Sequence, residues 1–237
     1  MASSINILST VALDVPAGLE GVAVTVLPFI AVSPVVGATL QEEIARLQKD
    51  ELTVAFTSAN AVKAVIMQAA AATGWKIYCI GNATAQAVIA AFGTAAIAGT
   101  ANDAGALAEV IIGNGVNNVV FFCGDKRMHT LPARLKEAGV AMKELVVYQT
   151  EETPHVVSGK YDAILFFSPS AVKSFFSVNA PLESTVLFAI GGTTAEAIRS
   201  KTRNKVVVCN TQSKDEVLAQ AIAYFKKQAA AERLATI

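Results

Sequence analysis

The chain has 237 residues, 53% of them hydrophobic and 16% charged, and its 19 basic and 19 acidic side chains cancel. That composition excludes a disordered polyelectrolyte, and the even charge balance leaves no global footprint for nucleic acid or an anionic membrane surface. No uninterrupted apolar run approaches the roughly 20 residues of a membrane span, so a soluble protein is expected; MASSINILSTVALDVP lacks a basic stretch ahead of an apolar segment, which points to the cytoplasm.

Taken in chain order, short apolar runs predict strands near residues 5–9, 23–27, 52–56, 76–80, 95–98, 117–122, 144–149, 161–167, 185–190 and 205–209. Helical patterns separate most of them. Ala61 to Ala72 places Val62, Val65, Ile66 and Ala69 on one face, and Thr84 to Phe92 does the same with Ala85, Val88, Ile89 and Phe92. Strand alternating with helix predicts α/β architecture with parallel sheets covered on both faces, and ten strands fit two five-stranded sheets.

The chain also repeats itself. FTSANAVKAVI from Phe56 returns as FFSPSAVKSFF from Phe166, and IGNATAQAV from Ile80 returns as IGGTTAEAI from Ile190, at one common offset of 110 residues. Two motifs recurring at a single offset indicate a duplication. The first copy continues into VVFFCGDKRMHTLPARLKEAGVAMKELVVYQT, whereas the second runs to the C-terminus, so its missing unit is expected in the N-terminal stretch, where Gly21-Val-Ala matches Gly139-Val-Ala. The expected domains are therefore 1–33 plus 154–237, discontinuous, and 36–151, continuous. Linkers at 28–36 and 147–154 would form a two-stranded, bendable connector allowing relative domain motion. The N-terminal unit is four residues shorter from Ile7 to Gly21 than its counterpart from Phe121 to Gly139, and Pro16 and Gly18 fall where a crossover helix would lie. That helix is expected to be a single turn or absent.

Ligands of open parallel sheets bind outside the carboxyl ends of the strands, where helix N-termini converge. Thr57-Ser58, Gly81-Asn82-Ala-Thr84, Ser168-Pro-Ser170 and Gly191-Gly-Thr193-Thr194 all fall at such junctions. Their hydroxyls suit helix capping, and the free N–H groups beside them suit anions, so several helix starts facing one cleft would suit a polyanion. Gly124-Asp-Lys126-Arg127 is expected to open another helix with two cations, and Lys63 and Lys173 occupy one position in both copies. GxxxxGK[ST] and GxGxxG are both missing, which disfavours nucleotide binding. Cys79, Cys123 and Cys209 read as buried, reduced thiols; with His129 and His155 they make no metal-ligand spacing, so no metal is expected. The hydroxyls have no adjacent base, so no catalytic triad emerges. Tyr148 stands at the crossing out of the continuous domain, where its phenol could donate a proton or hydrogen bond.

These motifs resemble the uroporphyrinogen III synthase family over nearly the full chain: FTSANAV, IGNATA, CGDKRMHTLPARLKEAGVAMKELVVYQT, FFSPSAV and AIGGTTAEAI stand in that order. The resemblance implies two flavodoxin-like parallel-sheet domains on a two-stranded connector, acting as a monomer without a cofactor. It implies cyclisation of hydroxymethylbilane, a linear tetrapyrrole with eight carboxylates, with inversion of ring D through an azafulvene cation and a spiro intermediate. The free substrate closes without inversion to isomer I, so such an enzyme works by holding a conformation. Tyr148 matches the tyrosine proposed to assist loss of the hydroxyl; Ser58, Thr84, Ser168 and Thr194 match the cleft hydroxyls, with Thr57, Asn60, Gly81, Asn82, Gly124, Lys126, Arg127, Ser170 and Thr193 completing the expected substrate contacts. Asn60 stands where many members have Arg, and Ser9-Thr10 where many have Thr-Arg, so Lys63, Lys126, Arg127, Lys173 and Arg199 are expected as the substitute cations. The alternative reading is a non-enzymatic bilobed ligand-binding or regulatory module; a flavin-type redox domain has only the fold class in its favour.

Overall fold

The computed structural model describes residues 4–68, 74–211 and 213–235, apart from the side chains of residues 82 and 232–235. The elements run β1 (Ile5–Ser9), β2 (Val22–Val26), β3 (Ile30–Pro34), α1 (Ala38–Leu47), β4 (Thr53–Phe56), α2 (Ala59–Gln68), β5 (Lys76–Ile80), α3 (Gly81–Phe92), β6 (Ile97–Ala101), α4 (Ala104–Gly113) and β7 (Asn118–Gly124). They continue with α5 (Thr130–Glu137), β8 (Ala141–Glu152), β9 (Ala163–Phe166), α6 (Pro169–Phe176), β10 (Val186–Ala189), α7 (Gly192–Arg199), β11 (Val206–Val208) and α8 (Lys214–Ala235). Two compact units result: unit 1 is Met1–Ala31 with Glu151–Ile237, and unit 2 is Val32–Thr150.

Unit 1 carries a sheet of order β11-β10-β9-β1-β2, every pair parallel. In the order its strands occur along the chain this is the 2-1-3-4-5 flavodoxin-like arrangement. Unit 2 carries β3-β8-β7-β4-β5-β6. Without β3, the same order appears if β7 and β8 are counted first, so one architecture occurs twice with its start displaced.

The sheet of unit 2 has six strands rather than five because the crossing segment Ile30–Pro34 joins it as β3 beside β8. Val35 N–H donates to Val147 O at 2.9 Å and Thr153 N–H to Phe29 O at 3.0 Å, so these two segments run antiparallel. Each thereby satisfies backbone groups that an isolated linker would leave to water. β8 correspondingly extends to Glu152, beyond the expected end at residue 149.

Thr10–Gly21 holds no helix, within the expectation of a single turn or none. Other differences lie at element ends. Leu8 stands opposite Ile164 as Val120 stands opposite Val54. Val54 and Ile164 are repeat partners, so Ile7 matches Val119 rather than Phe121, and the N-terminal crossover is shorter than the sequence comparison indicated. α3 begins at Gly81, three residues before the expected start at Thr84. α2 ends at Gln68 among the described residues; the expected continuation from Ala69 to Ala72 lies outside them.

Each sheet buries both faces. In unit 2, Val54 and Phe56 enter one cluster with Trp75 and Phe122, while Ala55 enters the other with Leu107, Phe121 and Leu135. β9 and β10 are buried at every position, which is why they read as continuous apolar runs without alternation. Phe56 stacks on Phe122 at 5.5 Å between centroids and Trp75 on Phe122 at 5.6 Å, with Trp75 Nε1 donating to Leu47 O at 3.1 Å. Truncating such a phenylalanine costs about 3–5 kcal/mol, so this stack fixes the ends of β4 and β7 beside each other.

Candidate active site

A 2-1-3-4-5 sheet has one point where the crossover connections leave in opposite directions, and ligands bind there beyond the carboxyl ends of the strands. In unit 2 that point lies between β7 and β4, in unit 1 between β1 and β9. Both repeated hydroxyl motifs, at Ser58 and Ser168, follow a strand at these points.

In unit 2, β4 ends at Phe56 and Ser58 opens α2. Its carbonyl accepts from Ala61 N–H at 3.1 Å and its Oγ accepts from Asn60 N–H at 3.2 Å, so Ser58 is the cap. Thr57 and Ser58 are half-buried and the Asn60 side chain is exposed. Tyr148 comes to the same place from β8. The pairing of β7 with β8 advances evenly from Asn118–Ala141 to Cys123–Val146 and then skips, putting Gly124 opposite Tyr148 and leaving Val147 as the extra residue of a bulge. Asp125 N–H donates to Tyr148 O at 3.1 Å, and Asp125 Oδ1 accepts from Thr150 N–H at 2.9 Å, closing the strand beyond the bulge. Burial raises the Tyr148 phenol above its ordinary value of 10.0, hydrogen bonding with the Ser58 side chain offsets part of that rise, and the neighbouring Cys123 and Asp125 add to it. The phenol is therefore a neutral donor throughout the neutral range.

Gly124 is buried as the last residue of β7. The expected helix start at Gly124–Arg127 is a turn instead, closed by Arg127 N–H to Gly124 O at 3.2 Å, and α5 begins only at Thr130. With no helix amides gathered there, the segment offers its side chains alone. Arg127 Nε is hydrogen-bonded to Glu144, which raises the guanidinium pKa further and consumes its charge locally; Lys126 stays 55% exposed, 4.0 Å from Asp125.

The second junction in each unit is built differently from the first. α3 has Ile80 at its N-cap and Gly81, at φ +65°, as its first residue; α7 has Gly191 at its N-cap, and neither helix is capped by a side chain. Thr84 and Thr194 stand inside these helices and are only 6% and 4% exposed, whereas Thr193 is exposed. Asn82 has its backbone in α3, and its side chain lies outside the described residues. In unit 1, Ser168 caps α6 through Ala171 N–H at 3.2 Å, with Pro169 at the first helical position, and Ser170 is half-buried. Lys173 pairs with Glu152 at 2.6 Å; Lys63 and Arg199 are exposed. The strand end Ser9-Thr10 turns its hydroxyls inward: Ser9 Oγ donates to Val11 O at 2.8 Å and Thr10 Oγ1 to Leu165 O at 2.7 Å.

Cys79, Cys123 and Cys209 are free and buried, and burial pushes each thiol up to about 11. Among the described residues no three or more His, Cys, Asp or Glu side chains are placed to share a metal, and no helix is long and apolar enough to cross a membrane. A cavity of about 790 Å³ opens at the amino ends of β4, β5, β7 and β8, between Glu51, Lys76, Asn114 and Lys143. It holds none of the repeated motifs.

Sequence reasoning found Tyr148 and Ser58 separately. It missed Asp125 as the residue holding β8 past the bulge, and no signal in the sequence marked Val147 as an extra residue.

The sequence matches the family model described as Uroporphyrinogen-III synthase HemD over residues 17–219. Among solved structures, the fold is similar to a uroporphyrinogen-III synthetase from Helicobacter pylori, with a TM-score of 0.64 and 17% identity over 93% of this chain and 99% of that one. It is also similar to a mutant uroporphyrinogen III synthase from the extremely thermophilic bacterium Thermus thermophilus, with a TM-score of 0.62 and 15% identity over 94% and 99%.

Proposed function

We infer the roles of individual residues from one premise: the chain belongs to the uroporphyrinogen-III synthase family. It is a cyclising hydro-lyase of tetrapyrrole biosynthesis, converting hydroxymethylbilane to uroporphyrinogen III with inversion of ring D and loss of water. The observation that carries the assignment of residues is the meeting of Tyr148 with Ser58 at the β4–β7 switch point.

Tyr148 donates its phenolic proton to the departing hydroxyl of the substrate. The C–O bond breaks, water leaves with that proton, and the phenolate recovers a proton when the closing pyrrole loses one. Such proton transfer contributes about 10²–10⁴-fold to rate. Ser58 steadies the phenol oxygen and the start of α2.

The remaining contacts hold carboxylates. The N–H groups opening α2, α3, α6 and α7 donate to carboxylates at Thr57, Gly81, Asn82, Ser168, Ser170 and Thr193, while Asn60, whose N–H is taken by Ser58 Oγ, offers its exposed side chain; each helix start contributes about 0.3–1 kcal/mol. Thr84 and Thr194 shape these turns from their buried positions. Lys126, Lys63 and Arg199 supply cations where Asn60 and Thr10 do not, while Arg127 and Lys173 do so at the expense of the carboxylates they already meet. We read the protein as a cytoplasmic monomer without nucleic-acid or membrane partners, a reading supported by three free, buried thiols and a net charge of zero.

The test supplies hydroxymethylbilane to the purified protein, oxidises the products and separates the porphyrin isomers. Isomer III is expected to predominate; isomer I at the level of buffer alone would reject the activity.

A further inference from the structure

We propose that Gly124 is a positioning residue for Tyr148: the missing side chain at the end of β7, together with the extra residue Val147 in β8, seats the phenol ring on the α2 face of the sheet. This rests on the reading that Tyr148 assists departure of the hydroxyl.

Alternation along β8 would send Tyr148 elsewhere. Leu145 and Val147 both pack with the Phe56 and Phe122 core, so the next residue of a regular strand belongs on the opposite face, that of Phe121 and Cys123. Tyr148 nevertheless packs against the same core as Leu145 and Val147, because the register skip at Cys123/Gly124 reverses its side. Space for the ring comes from Gly124. A Cβ there would stand 2.8 Å from the phenolic oxygen and closer still to Cζ and Cε2, inside any real contact distance. No positive φ explains the glycine, since Gly124 is not among the glycines in the left-handed region. Its backbone would accept an alanine, and the aromatic ring is what excludes one. The glycine of the CGD motif thus serves the tyrosine of VYQT across the ladder, and its α-carbon lies under the ring rather than free for a substrate carboxylate.

The experiment is Gly124→Ala, read in three ways. First, Tyr148 ionisation is followed by ultraviolet difference absorbance against Tyr148→Phe. The phenol is expected to titrate at lower pH in Gly124→Ala, as the ring is pushed from its seat, and an unchanged titration would overturn the proposal. Second, kcat is expected to fall at least tenfold with KM for hydroxymethylbilane within about twofold; a rise in KM at constant kcat would instead make Gly124 a substrate contact. Third, Gly124→Ala in a Tyr148→Phe background is expected to add less than threefold, whereas a loss equal to that in the parent would also overturn it. Should Gly124→Ala fail to fold, Gly124→Ala with Tyr148→Ala is expected to fold, because the methyl group then has room, and failure of that pair as well counts against the proposal. If Tyr148→Phe keeps full turnover, the reading of Tyr148 as donor falls, and the titration still decides whether Gly124 seats the ring.

Discussion

At the scale of single residues, the site depends on a phenol kept neutral and pointed by its neighbours. Tyr148→Phe removes the proton but not the ring, so it should lower isomer III formation by about 10²-fold or more. The unfolding free energy should change by only about 1 kcal/mol, the net worth of one hydrogen bond. Burial raises the Tyr148 pKa above 10.0, so the folded chain holds this proton more firmly than the unfolded chain does. The associated stability is complete below the ordinary tyrosine range and is lost as pH rises through the folded value. Urea unfolding from pH 8 to 11.5 should therefore show an alkaline loss of stability that is smaller in Tyr148→Phe; equal losses would contradict the assigned shift. The three thiols, pushed up to about 11 and buried, should react with a disulfide reagent at pH 8 only after denaturant is added.

At the scale of elements, the repeated serines open helices. Ser168 accepts from Ala171 N–H, and Ser168→Ala should cost about 1 kcal/mol of stability, measured as a shift in urea midpoint at constant slope. Ser58→Ala should cost a similar amount and, because Ser58 also meets Tyr148, should raise the tyrosine pKa as Ser168→Ala should not. The helices were legible in outline because Val62, Val65, Val88 and Phe92 repeat at helical spacing, while their starts were not. The apolar pattern starts α3 at Thr84, yet Gly81 forms its first residue with a positive φ that only its lack of a side chain makes easy. Gly124–Arg127 looked like the start of a helix because it directly follows the strand VVFFC, although two cations are unfavourable at the positive end of a helix; a turn closed on Gly124 formed instead.

At the scale of the whole molecule, unit 2 is continuous in sequence and has apolar clusters on both faces of its sheet. Expressed as residues 32–150, it should unfold cooperatively in urea and give no isomer III from hydroxymethylbilane, whereas a non-cooperative transition would show that its core needs the rest of the chain. The sequence by itself determined that an α/β unit was doubled, because the apolar spacing that buries both faces of a parallel sheet repeats with the motifs FTSANAV and FFSPSAV. It also determined that Ser58 and Ser168 follow strand ends, though not that Thr84 and Thr194 stand inside their helices. Only the tertiary structure decided that Ile30–Pro34 adds a sixth strand, since backbone pairing leaves no side-chain period in a crossing segment. It alone decided the face on which Tyr148 lies, because a bulge is a mismatch in length between two neighbouring strands and neither strand records it alone.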